Sequence, residues 1–180
     1  FIEKAKLAVN NIHFNFNNTL NERSNHMIEI IDYQDNYLEN FRSLNQDWLE
    51  KHNALDDYDL VILNDPQKVI LEPGGFIFFA QDRISGELVG TVSLMKISTR
   101  SFEVTKMCVA ENHKKKGIGL QLLNHAIQIA KTASAKKLTL YTMHQLIPAI
   151  KLYKKVGFKE VTLGKGKTYD IADIKMELIL

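Results

Sequence analysis

Apolar residues recur along this chain with two spacings, every second residue in some segments and every third or fourth in others. The first spacing is typical of strands with one buried face, and the second of amphipathic helices. Together they predict a mixed α/β domain from residue 27 onward, in which helices flank a sheet. The predicted strands are 27–33, 76–80, 88–97, 102–109, 138–143, 158–163 and 171–178, and the predicted helices are 35–51, 56–63, 117–133 and 148–156.

The first 26 residues do not continue this succession. They open with apolar residues at helical spacing and pass into a stretch rich in asparagine. We therefore expect residues 1–26 to be an N-terminal helical extension or the remnant of an upstream domain, and residues 27–180 to be the main domain. A helix packed on that domain and the end of an attached domain both fit the pattern.

Composition indicates one globular domain. Hydrophobic residues make up 45% and charged residues 24% of the 180 positions, and no apolar run is long enough to span a bilayer. The first four residues lack the basic and then apolar order of a signal peptide. The single cysteine, Cys108, excludes an internal disulfide and predicts a cytoplasmic location.

The net charge of +2 conceals an uneven distribution. The first ninety residues hold 7 Lys and Arg against 15 Asp and Glu, a net charge of −8, whereas the last ninety hold 16 against 6, a net charge of +10. The two halves would suit ligands of opposite charge, or they attract each other across one domain. Both interpretations stay open.

A basic, glycine-containing turn occupies residues 114–119, which read Lys-Lys-Lys-Gly-Ile-Gly. It lies between a predicted strand and a predicted helix. Backbone N–H groups at the start of a helix have no partner within the helix and carry partial positive charge, so they favour an anion. Gly117 and Gly119 allow a close approach of the backbone. The turn therefore predicts a phosphate or pyrophosphate site, with a solvated run of charge as the alternative.

A second segment, residues 149–158, reads Ala-Ile-Lys-Leu-Tyr-Lys-Lys-Val-Gly-Phe. In this order, the two segments resemble the Arg/Gln-x-x-Gly-x-Gly/Ala and Ala-x-x-Leu-Tyr-x-x-x-Gly-Phe motifs of the GNAT acetyltransferase superfamily. The resemblance extends from Met27 onward and implies a GNAT-like fold, a mixed, mostly antiparallel sheet of about six or seven strands flanked by helices. The chain departs from the pattern at Lys114, where relatives have Arg or Gln, and at Leu146, where many have Asn.

The resemblance implies an acetyl-CoA-dependent N-acetyltransferase that moves an acetyl group to a primary amine by direct attack, without an acyl-enzyme. Acetyl-CoA would lie between predicted strands 102–109 and 138–143. The implied contacts to the pantetheine arm are the amides of Met107, Cys108 and Val109. Those implied to surround the pyrophosphate are Lys114, Lys115, Lys116, Gly117, Ile118, Gly119 and Leu120.

Three side chains are candidates for proton transfer. The resemblance implies that Tyr153 protonates the leaving thiolate. Glu103 is the candidate general base, because a carboxylate near the acceptor can take the proton of the amine. The resemblance supports this, since Glu103 stands eleven positions before Lys114, similar to the spacing of the catalytic glutamate in histone-type members of the superfamily. A strand glutamate paired with a lysine is the alternative. His144 is a weaker candidate base and would otherwise be an exposed turn residue. Strict alternation along strand 102–109 places Lys106 and Cys108 on the face opposite Glu103.

The first predicted helix carries a stripe of large side chains that ends at Trp48, and this spacing indicates a core face. The resemblance adds that this helix and the next border the acceptor pocket. Trp48, His52 and Asp56 are therefore the candidate substrate contacts, with packing as the alternative for Trp48.

Other functions are less consistent with the sequence. The six histidines are scattered, so we expect no metal site, and Cys108 fits a core thiol better than a nucleophile. The acidic first half and the lack of aromatic residues among the lysines argue against direct binding of nucleic acid. The rival function is a non-catalytic acyl-CoA-binding regulatory module joined to a DNA-binding domain. A homodimer and an upstream regulatory domain are the protein partners left open.

Overall fold

The computed structural model describes residues 27–164 and 172–180, and their seven strands form one sheet in the order β1-β2-β3-β4-β5-β7-β6. The strands are β1 Ile28–Asp32, β2 Phe76–Asp82, β3 Leu88–Ser98, β4 Ser101–Val109, β5 Lys137–Thr142, β6 Lys159–Val161 and β7 Ile174–Ile179. The helices are α1 Leu38–Lys51, α2 Asp57–Asn64, α3 Ile118–Thr132 and α4 Ile147–Lys155. Only the β4/β5 pair in this sheet is parallel, so the prediction of a mixed, mostly antiparallel sheet flanked by helices is confirmed.

Each predicted strand and helix of the main domain corresponds to an observed one, and most ends differ by only a few residues. The prediction did not include the π-helical turn Gln67–Leu71, which follows Pro66 and buries Ile70. Its adjacent apolar residues follow neither the strand nor the helix period, so the pattern gave no signal there. The predicted extension at residues 1–26 and the start of the last predicted strand lie outside the described residues.

The sheet has a hydrophobic core on each face. Helix α3 packs on one face, where Leu122 and Ala126 are fully buried, and α4 adds Leu152 at the margin of the same cluster. Helices α1 and α2 cover the other face through side chains such as Phe41 and Ile62. None of the described helices is long and apolar enough to cross a membrane.

Strand β4 contains a β-bulge that changes which side chains share a face. Thr91 and Ser93 of β3 lie two positions apart, yet their partners Cys108 and Thr105 lie three apart, so β4 holds one extra residue there. Lys106 occupies the bulge with φ 46°, in the left-handed region.

The bulge makes the predicted alternation of β4 wrong. Met107 and Val109 pack in the same core as Phe102, on the α3 and α4 face. Lys106 and Cys108 instead contact residues of α2 and α1, on the face of Glu103. The extra residue shifts the phase of the strand by one position, which moves every later side chain to the opposite face.

Strands β4 and β5 pair only near their starts. The paired residues are Ser101 with Lys137, Phe102 with Leu138, and Glu103 with Thr139. Beyond these pairs, residues 104–109 and 140–142 have no pairing with each other in the described structure, although β4 still pairs with β3 and β5 with β7. The sheet is therefore split at its centre.

Candidate active site

A cavity of about 710 Å³ lies where β4 and β5 part, and side chains from both faces of the sheet line it. From the α3 and α4 face come Ile118 and Leu152, and from the α1 and α2 face come Leu49 and Leu146. The cavity thus passes through the sheet. We call its part at residues 114–120 the amide end, and its part lined by Asp59, Glu103 and Lys106 the carboxylate end.

The backbone at the amide end is shaped by residues with positive φ. Lys115 has φ 63° and Gly117, just before α3, has φ 79°. The first intrahelical hydrogen bond runs from the amide of Gln121 to the carbonyl of Gly117, so the amides of residues 118–120 have no partner within the helix. A Cβ atom added to Gly117 would meet nothing within 4 Å, which leaves open space beside these donors. The arrangement suits an anion such as pyrophosphate.

The ammonium group of Lys114 is already engaged at this end. It donates to Glu111 at 2.8 Å, and Lys51 donates to the same carboxylate at 2.6 Å. These two hydrogen bonds lower the pKa of Glu111 to about 2. Lys114 and Lys115 line the cavity, whereas Lys116 is not among the lining residues. Backbone amides are therefore better placed than the Lys114 side chain to hold an anion.

Tyr153 lines the cavity from α4. Gly157, with φ 103°, turns the chain after this helix so that the amide of Phe158 donates to the carbonyl of Tyr153 at 3.1 Å. The Phe158 ring then packs 6.1 Å from the Tyr153 ring, centroid to centroid. Burial raises the pKa of Tyr153 to about 12, so its phenol keeps its proton at neutral pH.

The carboxylate end is polar and buried. Glu103 is 3% exposed, and the side chains of Lys106 and Asp59 form an ion pair in which each is 4% exposed. The pKa of Tyr58 is raised, first by burial and then by the negative charges of Glu103 and Asp59. The Tyr58 phenol therefore lies close to both carboxylates. Sequence reasoning missed the Lys106–Asp59 pair. The Asp56-x-x-Asp59 spacing of a capping box was the only available signal, and it predicts a helix start rather than an ion pair.

Cys108 also lines the cavity, from the α1 side. Its thiol lies 3.3 Å from the carbonyl of Leu44 and 3.7 Å from Oδ1 of Asn45, as a donor to both. Burial raises the pKa of Cys108 to about 12. The sulfur therefore stays a thiol at neutral pH, in keeping with the expectation of a core thiol.

Two of the three predicted substrate contacts line the cavity. The Trp48 and His52 rings lie 4.6 Å apart, and burial, with the charges of Lys114 and Lys51, lowers the pKa of His52. Asp56 is not among the lining residues, because its side chain accepts from the amide of Asp59 at 2.7 Å and caps α2.

The predicted alternative base, His144, is not among the lining residues either. Its side chain is 69% exposed, and its Nδ1 lies 2.9 Å from the Asp173 carboxylate. In the described residues no group of three or more His, Cys, Asp or Glu side chains is arranged to hold a metal ion.

The fold is a mixed α/β domain whose sheet is split at its centre, with backbone amides at one end of the cavity and buried carboxylates at the other. A comparison of sequences gives the family. Residues 34–158 match the model of the acetyltransferase (GNAT) family, which is more than half of the chain. The chain therefore belongs to the GNAT acetyltransferase family, a family of acyltransferases that use acetyl-CoA.

Curated relatives agree with this membership. An uncharacterized N-acetyltransferase of Bacillus subtilis (strain 168), YvbK, is 36% identical over 107 residues, which are 57% of this chain and 66% of YvbK. A second one from the same organism, YsnE, is 36% identical over 75 residues, which are 41% of this chain and 50% of YsnE. The chain thus spans between half and two thirds of the length of these relatives.

Solved structures show the same fold. A GNAT-family acetyltransferase of Staphylococcus aureus Mu50 has a TM-score of 0.75 at 22% identity, covering 83% of this chain and 97% of that one. An acetyltransferase of Streptococcus agalactiae has a TM-score of 0.76 at 16% identity, and the match covers 86% of this chain and 99% of that one. Spermidine N-acetyltransferase from Vibrio cholerae, in complex with CoA and spermine, has a TM-score of 0.66 at 21% identity. That match covers 86% of this chain and 96% of the other.

Proposed function

We propose that this chain is an acetyl-CoA-dependent N-acetyltransferase that acts on a primary amine. The observation that carries the proposal is the cavity through the split between β4 and β5. Its amide end suits a polyanion and its carboxylate end suits a cation. Both ligands can therefore meet from opposite faces of the sheet.

Acetyl-CoA, when bound, supplies the activated acetyl group as a thioester. The amides of residues 115–120 would hold its pyrophosphate, and the open edge of β4 at Met107, Cys108 and Val109 would pair with the pantetheine arm. Because these residues have no pairing with β5 in the described structure, their edge is open to a ligand. Gly119 adds no side chain between α3 and α4, where an added Cβ atom would lie 3.4 Å from Leu152.

Two residues of the chain would move protons. Glu103 would accept a proton from the ammonium form of the substrate, since only the neutral amine attacks the thioester. The new C–N bond then forms as the C–S bond breaks, and Tyr153 would give its phenolic proton to the departing sulfur. The second proton that the nitrogen loses on becoming an amide would return to the Tyr153 phenolate, directly or through water. The raised pKa of Tyr153 supports this role, because the phenol is protonated when the thiolate leaves.

Direct attack is favoured over an acyl-enzyme. Cys108 is the single cysteine of the chain, and its raised pKa keeps it from being the thiolate that an acyl-enzyme formed on cysteine would require. His144 or water is the alternative general base. The position of His144 outside the cavity lining makes water the better of these two.

A panel of amines, assayed by release of free thiol from acetyl-CoA, tests the proposal. We expect thiol release that depends on the amine and one N-acetylated product per thiol released. Tight binding of acetyl-CoA with no amine-dependent release across the panel would contradict it. That result would favour the non-catalytic acyl-CoA-binding module.

A further inference from the structure

Asn45 is a buried amide side chain in the lining of the cavity. It lies on α1 and is only 3% exposed. The lining residues that α1 and its C-terminal end supply are Asn45, Trp48, Leu49 and His52, which recur at the spacing of one helix face. Asn45 therefore shares a face with Trp48 and His52, the predicted substrate contacts that line the cavity.

A hydrogen bond fixes the orientation of this amide. Nδ2 of Asn45 donates to the carbonyl of Phe41, one turn earlier in α1, at 2.8 Å. Because a carbonyl can only accept, the nitrogen is the atom that faces Phe41. The other end of the amide, Oδ1, is then directed at Cys108 on β4, with 3.7 Å between Oδ1 and the sulfur.

Oδ1 of Asn45 has only a weak donor. Among the described residues its one donor is the Cys108 thiol, whose single hydrogen is shared with the carbonyl of Leu44 at the shorter distance of 3.3 Å. A thiol donates weakly, and a buried oxygen that lacks a good donor loses the hydrogen bonds that water gave it in the unfolded chain. Oδ1 therefore favours a ligand that brings an N–H group into the cavity.

The position of Asn45 indicates which ligand group this is. The backbone of Cys108 belongs to the open edge of β4, which would pair with the pantetheine arm, whereas its side chain meets Asn45 on the α1 face. An attacking nitrogen has to come within about 3–3.5 Å of the thioester carbon. Asn45 is thus one side chain away from the edge along which the arm would lie, on the face that bears the predicted substrate contacts.

We propose that Asn45 binds the attacking nitrogen of the acceptor, with Oδ1 accepting a hydrogen bond from its N–H group. This contact rests on the proposed function. A primary amine keeps N–H donors after the base has taken one proton, whereas an alcohol keeps none, so the contact selects amines. An uncharged acceptor suits the reaction, because a carboxylate beside the nitrogen would favour the ammonium form, which does not attack.

Asn45→Leu tests the contact, because leucine has a similar volume and no acceptor. The measurement is kcat/KM for thiol release with two amines, ethylamine and the amine of the panel that the wild-type protein uses fastest. Both values should fall about threefold to tenfold and by a similar factor, since the lost hydrogen bond is to the nitrogen that both amines share. Unchanged values, or a loss with only one amine, would overturn the proposal.

Binding and unfolding measurements on the same variant separate this contact from a structural role. The carbonyl of Phe41 keeps its backbone hydrogen bond within α1, so the denaturant midpoint of Asn45→Leu should equal or exceed that of the wild type. The dissociation constant of CoA should stay within about twofold, as should kcat/KM in the control Gln46→Leu, which changes an exposed neighbour outside the cavity lining. A loss of CoA affinity as large as the loss in kcat/KM would assign Oδ1 to the pantetheine arm and overturn the proposal.

Asn45→Asp restores an acceptor oxygen and completes the test. Near pH 10, about the pKa of the amine, its kcat/KM should exceed that of Asn45→Leu, and equal values would overturn the proposal. A wild-type protein that releases thiol with none of the amines would overturn the proposed function together with the contact. Amine-dependent release that Asn45→Leu fully retains would overturn the contact alone.

Discussion

Tyr153 is the residue on which the proposed chemistry depends most. It lines the cavity, and its pKa of about 12 keeps the phenol protonated. Tyr153→Phe retains the ring that packs on Phe158 but removes the proton, so turnover should fall on the order of 10²-fold while CoA affinity changes little. The wild-type rate should show no decline from ionisation of this group near neutral pH, because burial raises the pKa of Tyr153 to about 12.

Steady-state thiol release and titration with CoA check both parts of this prediction. A Tyr153→Phe variant as fast as wild type would remove the phenol from the mechanism. A large loss of CoA affinity would instead assign Tyr153 to binding.

Glu103 and His144 are compared by their dependence on pH. Glu103→Gln should lower the rate most near neutral pH, because the amine then has to lose its proton without help, and the rate should recover as pH rises toward the amine pKa of about 10. His144→Ala should stay within about twofold of wild type, because this exposed residue is outside the cavity lining.

The measurement is kcat/KM from about pH 6 to 10 for the three proteins, a range that spans the ionisation of histidine and reaches the amine pKa of about 10. An unchanged profile in Glu103→Gln would assign the base to water or to His144. The His144→Ala profile would then distinguish these two.

Sequence reasoning identified those candidate site residues that belong to short motifs. Tyr153 was found because Leu, Tyr, Gly and Phe occur at a fixed spacing along one helix and its end. The Lys106–Asp59 pair joins residues 47 positions apart, and no local pattern encodes such a contact. The face of Cys108 was wrong because a one-residue bulge reverses the alternation that follows it.

At the scale of elements, the start of α3 should bind the anion through its backbone. Gly119→Ala is the cleaner variant, because its Cβ atom would sit at ordinary contact distances of 3.4 to 4.0 Å from Leu152, Met107 and Val109. The helix should keep or gain up to about 1 kcal/mol of stability. CoA affinity should fall about tenfold to a hundredfold, because the methyl group would cost one charge-assisted hydrogen bond of about 1.5–3 kcal/mol.

Two control variants separate backbone from side chain. Gly117→Ala places a Cβ atom at φ 79° and should cost about 1–2 kcal/mol in the free energy of unfolding. Lys114→Ala should weaken CoA binding less than Gly119→Ala does, since Glu111 already holds that ammonium group. Denaturant unfolding and CoA titration measure the two effects, and a Lys114→Ala variant that binds worst would show that side-chain charge holds the ligand.

The elements themselves were predictable because their periods are long and regular, as in the helix that became α3. The exact ends of the elements and the short turn at Gln67–Leu71 could not be predicted, because they depend on caps and packing rather than on periodicity. The split between β4 and β5 was implied by the family resemblance. The bulge at Lys106, which lies within the part of β4 that does not pair with β5, was not visible in the sequence.

At the scale of the whole molecule, acetyl-CoA should stabilise the fold, because its proposed contacts exist only in the native state. At one hundred times the dissociation constant, the free energy of unfolding should rise by about 2.7 kcal/mol. ATP shares the adenine nucleotide but has no pantetheine arm for the open edge of β4. ATP should therefore raise the free energy of unfolding far less than acetyl-CoA does. Thermal unfolding with each ligand checks this, and equal shifts would contradict the pantetheine contact.

The acidic and the basic half of the sequence supply the helices on opposite faces of the sheet. Helices α1 and α2 from the acidic half cover one face of the sheet, and α3 and α4 from the basic half cover the other. The cavity joins the two faces, and its amide end belongs to the basic half. The distribution fits the proposed polyanion on one side and the amine on the other, and it also fits attraction between the two layers.

A structure of the protein with bound acetyl-CoA tests the central claim most directly. We expect the pyrophosphate on the amides of residues 115–120, the pantetheine arm along residues 107–109, and the thioester in the split between β4 and β5, with its sulfur within hydrogen-bond reach of the Tyr153 hydroxyl. Acetyl-CoA bound elsewhere, or in the split with its sulfur directed away from Tyr153, would contradict the account.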